Sequence, residues 1–335
     1  MNLLILTQKV DKNDDNLGFF HRWLEKFAER TNQVFVIANF AGEHSLPANA
    51  QIFSLGKEKK FGRVRRYFNF YRYLFKLLSE IDAIFVHMIP AWVILVWPVA
   101  FIFQKKIYLW YAHKSITLSL RVADNLATKV FTSSKGGYRL NSKKLVMTGQ
   151  GIDVAHFEPK NVQKNPAQLK FLSVGRISES KNFEFLIDVA EILKNRGLDF
   201  IFNIVGMPIL SLDFSYKKKL ENLIAEKKLQ KNIHFLGVKI YNKMPQIYNS
   251  HDILIHASKT GSLDKVVLEA MSCGLPIITT SEAFVGTLDV LPKEANLMAE
   301  KIIQLKNAGK NLSLREIVVQ NHNLSDLIKK IMENL

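Results

Sequence analysis

The sequence predicts an α/β protein with two doubly wound parallel sheets. Apolar runs of strand length alternate with segments of helical periodicity, a pattern typical of parallel sheets covered on both faces. The pattern breaks in a polar stretch around residues 155–168 and then restarts. The 335 residues also exceed what one hydrophobic core usually supports. Because ligands of such sheets bind at the carboxyl ends of the strands, we expect two Rossmann-like domains that face each other across an interdomain cleft.

The predicted strands are the apolar runs themselves. In the first half of the chain they are LLILT, VFVIANF, AIFVHM, KIYLWYAH, KVFTSS and KLVMTG. In the second half they are KFLSVGR, FIFNIVG, IHFLG, ILIHAS and PIITTS. Segments of helical spacing separate them, so each half is predicted to form a series of parallel strands joined by helices.

The formal net charge of +16 is concentrated in the first half of the chain, where residues 1–160 carry 23 Lys and Arg against 12 Asp and Glu. A basic half suggests an anionic partner, which charge alone leaves open as nucleic acid, anionic lipid or a phosphorylated substrate. Because no recognisable nucleic-acid-binding module accompanies the charge, we expect no nucleic acid partner.

A single cysteine, Cys273, excludes an internal disulfide framework and a cysteine-rich metal site, and it fits a reducing compartment. The N-terminal run lacks the basic leader and the cleavage site of a signal peptide. The longest apolar stretch, Trp92 to Phe103, is about half of the roughly 20 residues that a spanning helix needs, and Pro98 lies inside it. We therefore expect a cytoplasmic protein without a transmembrane helix.

Residues 62–78, GRVRRYFNFYRYLFKLL, place an apolar stripe at helical spacing among five basic residues. Two interpretations stay open. The helix packs on the sheet and its basic face is merely solvated, or it contacts an anionic membrane surface. Aromatic residues that extend onto the basic side favour membrane contact, which would make the protein peripheral on the inner face of the cell membrane.

The segment Ser258 to Ser281, SKTGSLDKVVLEAMSCGLPIITTS, predicts a strand that ends in a polar loop, a helix that carries Glu269, and a Gly-Leu-Pro turn into another strand. This segment resembles the nucleotide-sugar site of glycosyltransferase family 4, retaining enzymes of the GT-B fold also described as glycosyl transferases group 1. The resemblance implies that Glu269 binds the ribose of the donor. A carboxylate can accept both ribose hydroxyls and so orient the nucleoside.

The family has a second glutamate eight positions earlier, near the donor sugar, and this chain has Gly261 there. The family's Glu-Gly-Phe-Gly loop is replaced by Gly261, Ser262, Leu263 and Asp264. By position these four residues are expected to line the donor site. Asp264 is either a substitute carboxylate or the N-cap of the helix that bears Glu269.

A second match, Val174-Gly-Arg-Ile-Ser-Glu-Ser-Lys181, resembles the family's Gly-Arg loop with its downstream lysine. The resemblance implies that Arg176 and Lys181 bind the donor diphosphate and act in catalysis. A guanidinium and an ammonium can stabilise the charge that builds on a departing nucleoside diphosphate without a metal. The chain also lacks the Asp-x-Asp triplet of metal-dependent glycosyltransferases, so we expect no metal ligand and no divalent metal requirement.

Weaker candidates follow other strands. Gly18 opens the helix after the first strand, whose N-terminus is placed to face the diphosphate, although a plain turn glycine explains it equally well. Gly237 and Val238 end the strand that in the family binds the base through main-chain groups. His113 matches a family histidine beside the donor sugar and is expected to be catalytic. His87, at the end of another strand, is expected to contact the acceptor or line the cleft.

The resemblance implies an acceptor-binding N-terminal domain over residues 1–158 and a nucleotide-sugar-binding domain over residues 165–312. Residues 313–335 are expected to form a helix that crosses back to the N-terminal domain. The implied reaction transfers a hexosyl residue from a UDP- or GDP-sugar, with retention, to a glycan or lipid-linked acceptor at a membrane. Two rivals from the same fold remain, namely a sugar-nucleotide-binding protein with weak or no transferase activity and a sugar-nucleotide epimerase.

Overall fold

The computed structural model describes residues 1–162 and 168–335. It divides the chain into two compact units, one of Met1–Asp153 with Asn323–Leu335 and the other of Val154–His322. The predicted start of a second domain at residue 165 lies outside the described residues.

The first unit contains a sheet of seven parallel strands in the order β3-β2-β1-β4-β5-β6-β7. The order reverses direction between β1 and β4, which defines a topological switch point at the carboxyl ends of these two strands. The strands are β1 (Asn2–Val10), β2 (Gln33–Ala41), β3 (Ala50–Ser54), β4 (Ala83–His87), β5 (Lys106–Trp110), β6 (Lys129–Thr132) and β7 (Leu145–Met147).

Helices cover both faces of this sheet, as the continuous apolar strands predict. The helices are α1 (Gly18–Ala28), α2 (Arg63–Leu77), α3 (Pro90–Ile102), α4 (Leu118–Leu126) and, at the end of the chain, α11 (Leu324–Met332). Alternate residues of β1 divide between two cores. Leu3 and Ile5 pack in the cluster that contains α1 and α11, whereas Leu4 and Leu6 pack in the cluster that contains α2, α3 and α4.

Strand β3 was absent from the sequence-based prediction. It lies at the edge of the sheet and pairs only with β2 among the described strands. Its residues are partly buried or exposed, so they lack the continuous apolar run by which the interior strands were recognised.

The second unit contains five parallel strands in the order β10-β9-β8-β11-β12, which reverses direction between β8 and β11. Its strands are β8 (Leu169–Val174), β9 (Phe200–Val205), β10 (Ile233–Gly237), β11 (Ile253–His256) and β12 (Ile277–Thr279). Its helices are α5 (Phe183–Asn195), α6 (Ser211–Glu226), α7 (Met244–Asn249), α8 (Lys265–Ser272), α9 (Ala295–Gln304) and α10 (Leu312–His322). The predicted fold class, α/β with two doubly wound parallel sheets, is confirmed.

The C-terminal segment 313–335 contains parts of two helices. Helix α10 belongs to the second unit, and α11 belongs to the first, where it packs with α1 in one apolar core. Arg315 of α10 donates to the carbonyl oxygens of Val154, Phe157 and Ser272 at 2.7–3.0 Å, which fixes α10 within the second unit.

None of the described helices is both long and apolar enough to cross a membrane. Helix α3 contains the predicted apolar stretch except its last residue, Phe103, and carries Pro98 in its interior.

Candidate functional site

The switch point of the second sheet gathers polar side chains from two distant parts of the sequence. The loop after β8 supplies Arg176 and Lys181, and the end of β11 with the loop that follows supplies His256, Ser258 and Asp264. Since β8 and β11 are hydrogen-bonded neighbours, their carboxyl ends meet at one edge of the sheet.

Lys181, Asp264 and His256 form one charged network. The Lys181 Nζ lies 2.6 Å from Asp264 Oδ2 and 3.5 Å from Ser258 Oγ. His256 Nε2 contacts the same Asp264 oxygen at 2.7 Å, and its Nδ1 lies 3.0 Å from Thr279 Oγ1. The side chains of Lys181 and Asp264 are 16% and 14% exposed, and His256 is buried. The structure therefore brings the predicted Lys181 and Asp264 into direct contact.

The carboxyl of Asp264 is held as an anion. Burial by itself would raise its pKa, but the hydrogen bond from His256 and the charge of Lys181 outweigh burial and hold the pKa well below its usual range. Asp264 occupies the N-cap position of α8 without a side-chain capping bond. Of the two roles left open by the sequence, capping is therefore excluded in this structure.

Arg176 lies on the same loop as Lys181 but does not join that network. Its Nε is 3.6 Å from Asp213 Oδ2, and its side chain is 40% exposed. Asp213 is buried and accepts the main-chain N–H groups of Ile209 and Leu210 at the start of α6. The guanidinium is thus held at one side while most of its N–H groups remain available to an anion.

Glu269 lies one to two turns into α8 and is buried. Tyr248 Oη donates to its Oε2 at 3.0 Å. Burial raises the pKa of Glu269 and lowers that of Lys265, four residues earlier on the same helix, while the attraction between the two charges opposes both shifts. A buried carboxylate with a fixed orientation is suited to accept hydroxyl groups of a ligand.

The backbone conformation at the carboxyl ends of the strands of the second sheet requires glycine at several positions. Gly261 has φ +64° and Gly237 has φ +68°, in the left-handed region that side chains rarely adopt. Ser262, Leu263 and Val238 are partly buried beside them. A Cβ on Gly206 would lie 2.0 Å from the carbonyl oxygen of Gly175, so the ends of β8 and β9 approach this closely only because residue 206 is glycine.

In the first unit, His87 ends β4 at the switch point, but it is 1% exposed. Its ring stacks on Phe20 at 4.0 Å between centroids and on Trp110 at 5.6 Å, and its Nδ1 lies 3.4 Å from Thr7 Oγ1. This placement does not support the predicted acceptor contact, because His87 is enclosed by the aromatic core.

His113 lies in an exposed loop after β5, with its main-chain N–H bonded to Gly137 O at 2.8 Å and its Nδ1 accepting from Ser115 N at 3.1 Å. Gly18 opens α1 as predicted, but the carboxylate of Asp14 sits at this helix N-terminus and accepts from Leu17 N at 2.6 Å. A negative charge already at that N-terminus weakens the predicted diphosphate contact there.

Sequence reasoning missed His256, Thr279, Asp213 and Tyr248. His256 and Thr279 end β11 and β12, so a search of all strand ends, rather than of the first half alone, would have found them. Asp213 and Tyr248 lie inside helical segments, and no pattern in the sequence marks them as neighbours of Arg176 and Glu269. Within residues 1–162 and 168–335, no group of three or more His, Cys, Asp or Glu is arranged to hold a metal ion.

Residues 155–310 match the family model described as glycosyl transferases group 1. The chain is 26% identical over 165 residues to the phosphatidylinositol N-acetylglucosaminyltransferase GPI3 subunit of Saccharomyces cerevisiae, which is 48% of this chain and 34% of that protein. It is 26% identical over 153 residues to the amylovoran biosynthesis glycosyltransferase AmsK of Erwinia amylovora, 44% of this chain and 36% of that protein. The matched segment thus spans little more than a third of either relative.

The crystal structure of Anabaena HepE in complex with UDP-glucose resembles this structure with a TM-score of 0.76 and 18% identity, over 100% of this chain and 99% of that chain. At this identity the likeness establishes the fold, which is the GT-B type predicted from the sequence.

Proposed function

We propose that this chain, whose residues 155–310 match the family model described as glycosyl transferases group 1, transfers a hexosyl residue from a nucleoside diphosphate sugar to an acceptor hydroxyl. The bond between the anomeric carbon and the β-phosphate oxygen breaks, and the acceptor oxygen bonds to the anomeric carbon. The acceptor proton leaves with the diphosphate. Retention of configuration comes from the family resemblance. Independence of metal ions is expected because Arg176 and Lys181 supply the positive charge and the sequence lacks an Asp-x-Asp triplet.

The observation that carries this proposal is the contact between Lys181, on the loop that also carries Arg176, and Asp264 at the N-cap of α8, the helix that bears Glu269. Two cations on the loop after β8 suit the diphosphate, whose negative charge grows as the sugar departs. The buried carboxylate of Glu269 suits the ribose hydroxyls. Arg176, Lys181 and Glu269 all lie within the segment that matches the family model.

The donor is proposed to be a UDP- or GDP-sugar. HepE, whose structure contains UDP-glucose, shares this fold. Base selection in this proposal involves main-chain groups near Gly237 and Val238, where β10 departs from regular pairing with β9.

A thermal-shift panel of UDP, GDP and ADP with their hexose conjugates, with and without EDTA, tests the donor site. A ligand that binds only the folded state raises the melting temperature by mass action. We expect one nucleotide to give a shift that EDTA leaves unchanged and that Glu269→Ala abolishes. The matched control is Glu300→Ala, which removes an exposed carboxylate of the same unit. No shift with any nucleotide would overturn the proposal.

The acceptor is proposed to be a lipid-linked or membrane-associated glycan, with the first unit at an anionic membrane surface. Helix α2 exposes Val64 by 84%, Phe68 by 68% and Phe75 by 56% to solvent, beside the exposed cations Arg63 and Lys76. Apolar side chains and cations on one exposed helix suit the interface of an anionic bilayer. The GPI3 subunit, by its name, belongs to an enzyme that acts on phosphatidylinositol.

Sedimentation with vesicles tests this part of the proposal. Arg63, Arg65 and Arg72 changed together to glutamate should abolish binding to vesicles that contain anionic lipid, while Arg66 is left intact because it bonds to Asn39 Oδ1 at 2.7 Å. The control changes the exposed Lys218, Lys231 and Lys243 of the second unit to glutamate, an equal change in net charge. Equal losses in both variants would reduce the effect to net charge, and undiminished binding of the first variant would exclude the α2 surface.

One observation favours a second candidate, a sugar-nucleotide-binding protein with little transferase activity. Gly261 supplies no carboxylate at the position of the family's first glutamate. Such a protein would give the nucleotide shift described above but would neither hydrolyse nor transfer the sugar of the bound donor. Release of free nucleoside diphosphate during incubation with donor and membrane extract decides between the two.

A further inference from the structure

The loop of residues 261–264, here called the donor loop, has no carboxylate at Gly261 but has one three residues later, at Asp264. The positive φ of Gly261 turns the chain sharply at this point, after which Asp264 reaches Lys181 and His256. The side chain of Asp264 is 14% exposed and so keeps a small accessible surface at the sheet edge where Lys181 also lies.

The two oxygens of Asp264 are used unequally. Both the Lys181 Nζ bond at 2.6 Å and the His256 Nε2 bond at 2.7 Å end on Oδ2. Within the part of the chain that the structure describes, Oδ1 accepts no hydrogen bond, and the carboxylate does not cap α8. A carboxylate has about four acceptor positions, so an ionised Asp264 retains capacity for a further donor.

The orientation of the Asp264 carboxylate is fixed by His256, which is itself held by Thr279. Thr279 Oγ1 holds His256 Nδ1 at 3.0 Å, which leaves Nε2 to donate to Asp264. His256 and Thr279 are both buried, and their strands β11 and β12 are paired residue to residue at this point. A buried ion pair gains little net stability after desolvation is subtracted, so a stability role alone is a weak explanation for this arrangement.

We propose that Asp264 determines specificity for the donor sugar, with Oδ1 accepting a hydroxyl of the hexosyl residue while Oδ2 is held by Lys181 and His256. Lys181 then serves two anions, the carboxylate of Asp264 and the diphosphate. Because like charges repel, the carboxylate also disfavours a free nucleoside diphosphate relative to its sugar conjugate. The inference rests on the proposed function, since it assumes that the donor occupies this edge.

Isothermal titration calorimetry tests the proposal in the full chain. The ligands are UDP and UDP-glucose, or the nucleotide and its hexose conjugate that the thermal-shift panel selects. In the wild type the sugar conjugate should bind more tightly than the free nucleotide. Asp264→Asn should weaken the sugar conjugate about tenfold, the effect of one lost charged hydrogen bond, and leave free nucleotide binding equal or tighter. Asp188→Asn, which changes an exposed carboxylate of α5, should alter neither affinity.

A series of donors that each lack one sugar hydroxyl provides the sharper measurement. One of them should bind about tenfold more weakly than the parent to the wild type and equally well to Asp264→Ala, because the partner of the missing hydroxyl is gone. Equal weakening of UDP and UDP-glucose by Asp264→Asn would overturn the proposal and leave Asp264 only as a support for Lys181. If the wild type binds no nucleotide at all, the donor site itself fails and this inference with it.

Discussion

Each sheet places a histidine at the end of the strand beside its first strand, and the two histidines have opposite surroundings. His87 of β4 is stacked between Phe20 and Trp110 in an aromatic core. His256 of β11 bonds to a carboxylate and a hydroxyl in a charged network. The same topological position thus serves packing in the first unit and the orientation of charge in the second. Strand ends indicate where sites occur, but the neighbouring side chains decide whether a site is present.

The largest expected effect comes from removing the ammonium of the charged network. Lys181→Met should lower kcat/KM for transfer by about 10²–10³-fold, the usual loss when one group that stabilises transition-state charge is removed. Steady-state rates over a range of donor concentrations measure it, with Lys218→Met as the control at an exposed position. A loss below about threefold would show that Lys181 has no part in the reaction.

The two histidines should separate stability from binding. His87→Ala should lower the free energy of unfolding by about 3 kcal/mol, because it leaves a cavity in a packed aromatic core, and should leave nucleotide affinity unchanged. His256→Ala should instead weaken donor binding, since Asp264 loses a hydrogen bond that orients it.

Urea denaturation and nucleotide titration of the same two variants provide the measurements. His44→Ala is the control, because His44 is exposed and surface substitutions usually change stability by less than about 0.5 kcal/mol. A fall in nucleotide affinity for His87→Ala would remove the contrast between the two units.

A third expectation concerns pH. Burial, together with the charge of Lys265, lowers the pKa of His322 to about 4. Its pKa in the unfolded chain is about 6.5, so between these values the unfolded state binds more protons and stability falls as pH falls. At about 1.4 kcal/mol per unit, the loss between pH 6.5 and pH 5 should be about 2 kcal/mol.

Denaturation of the wild type and His322→Gln across pH 4 to 8 isolates this contribution. The pKa of Lys265, whose charge acts on His322, is lowered by burial, and that of Glu269 is raised by burial, so both also contribute to the pH dependence. The difference between the two curves, rather than either curve alone, therefore measures the contribution of His322. Parallel curves would show that His322 is solvated in both states.

The smallest expected effect concerns the glycine of the donor loop. Gly261→Ala should cost about 1 kcal/mol of stability, because an alanine at φ +64° is strained. Gly309→Ala is the control, since a Cβ there meets open space and its backbone lies outside the strained region. Chemical denaturation measures both, and equal stability of the two variants would show that the loop relaxes around the new side chain.

The sequence by itself determined the two sheets, because buried parallel strands are continuously apolar and therefore visible as runs such as LLILT and ILIHAS. It also determined which segments carry Arg176, Lys181 and Glu269, since these segments resemble a known family. It missed β3, because an edge strand that is partly exposed has no such run.

Only the tertiary structure decided which polar groups meet. Lys181 and Asp264 are 83 residues apart in the chain, and no local pattern relates them until β8 and β11 pair. The same holds for Tyr248 and Glu269, and for the enclosure of His87 by Phe20 and Trp110. Hydrophobic periodicity reports burial and secondary structure because both are local along the chain, whereas a site is assembled by contacts between distant segments, which periodicity does not encode.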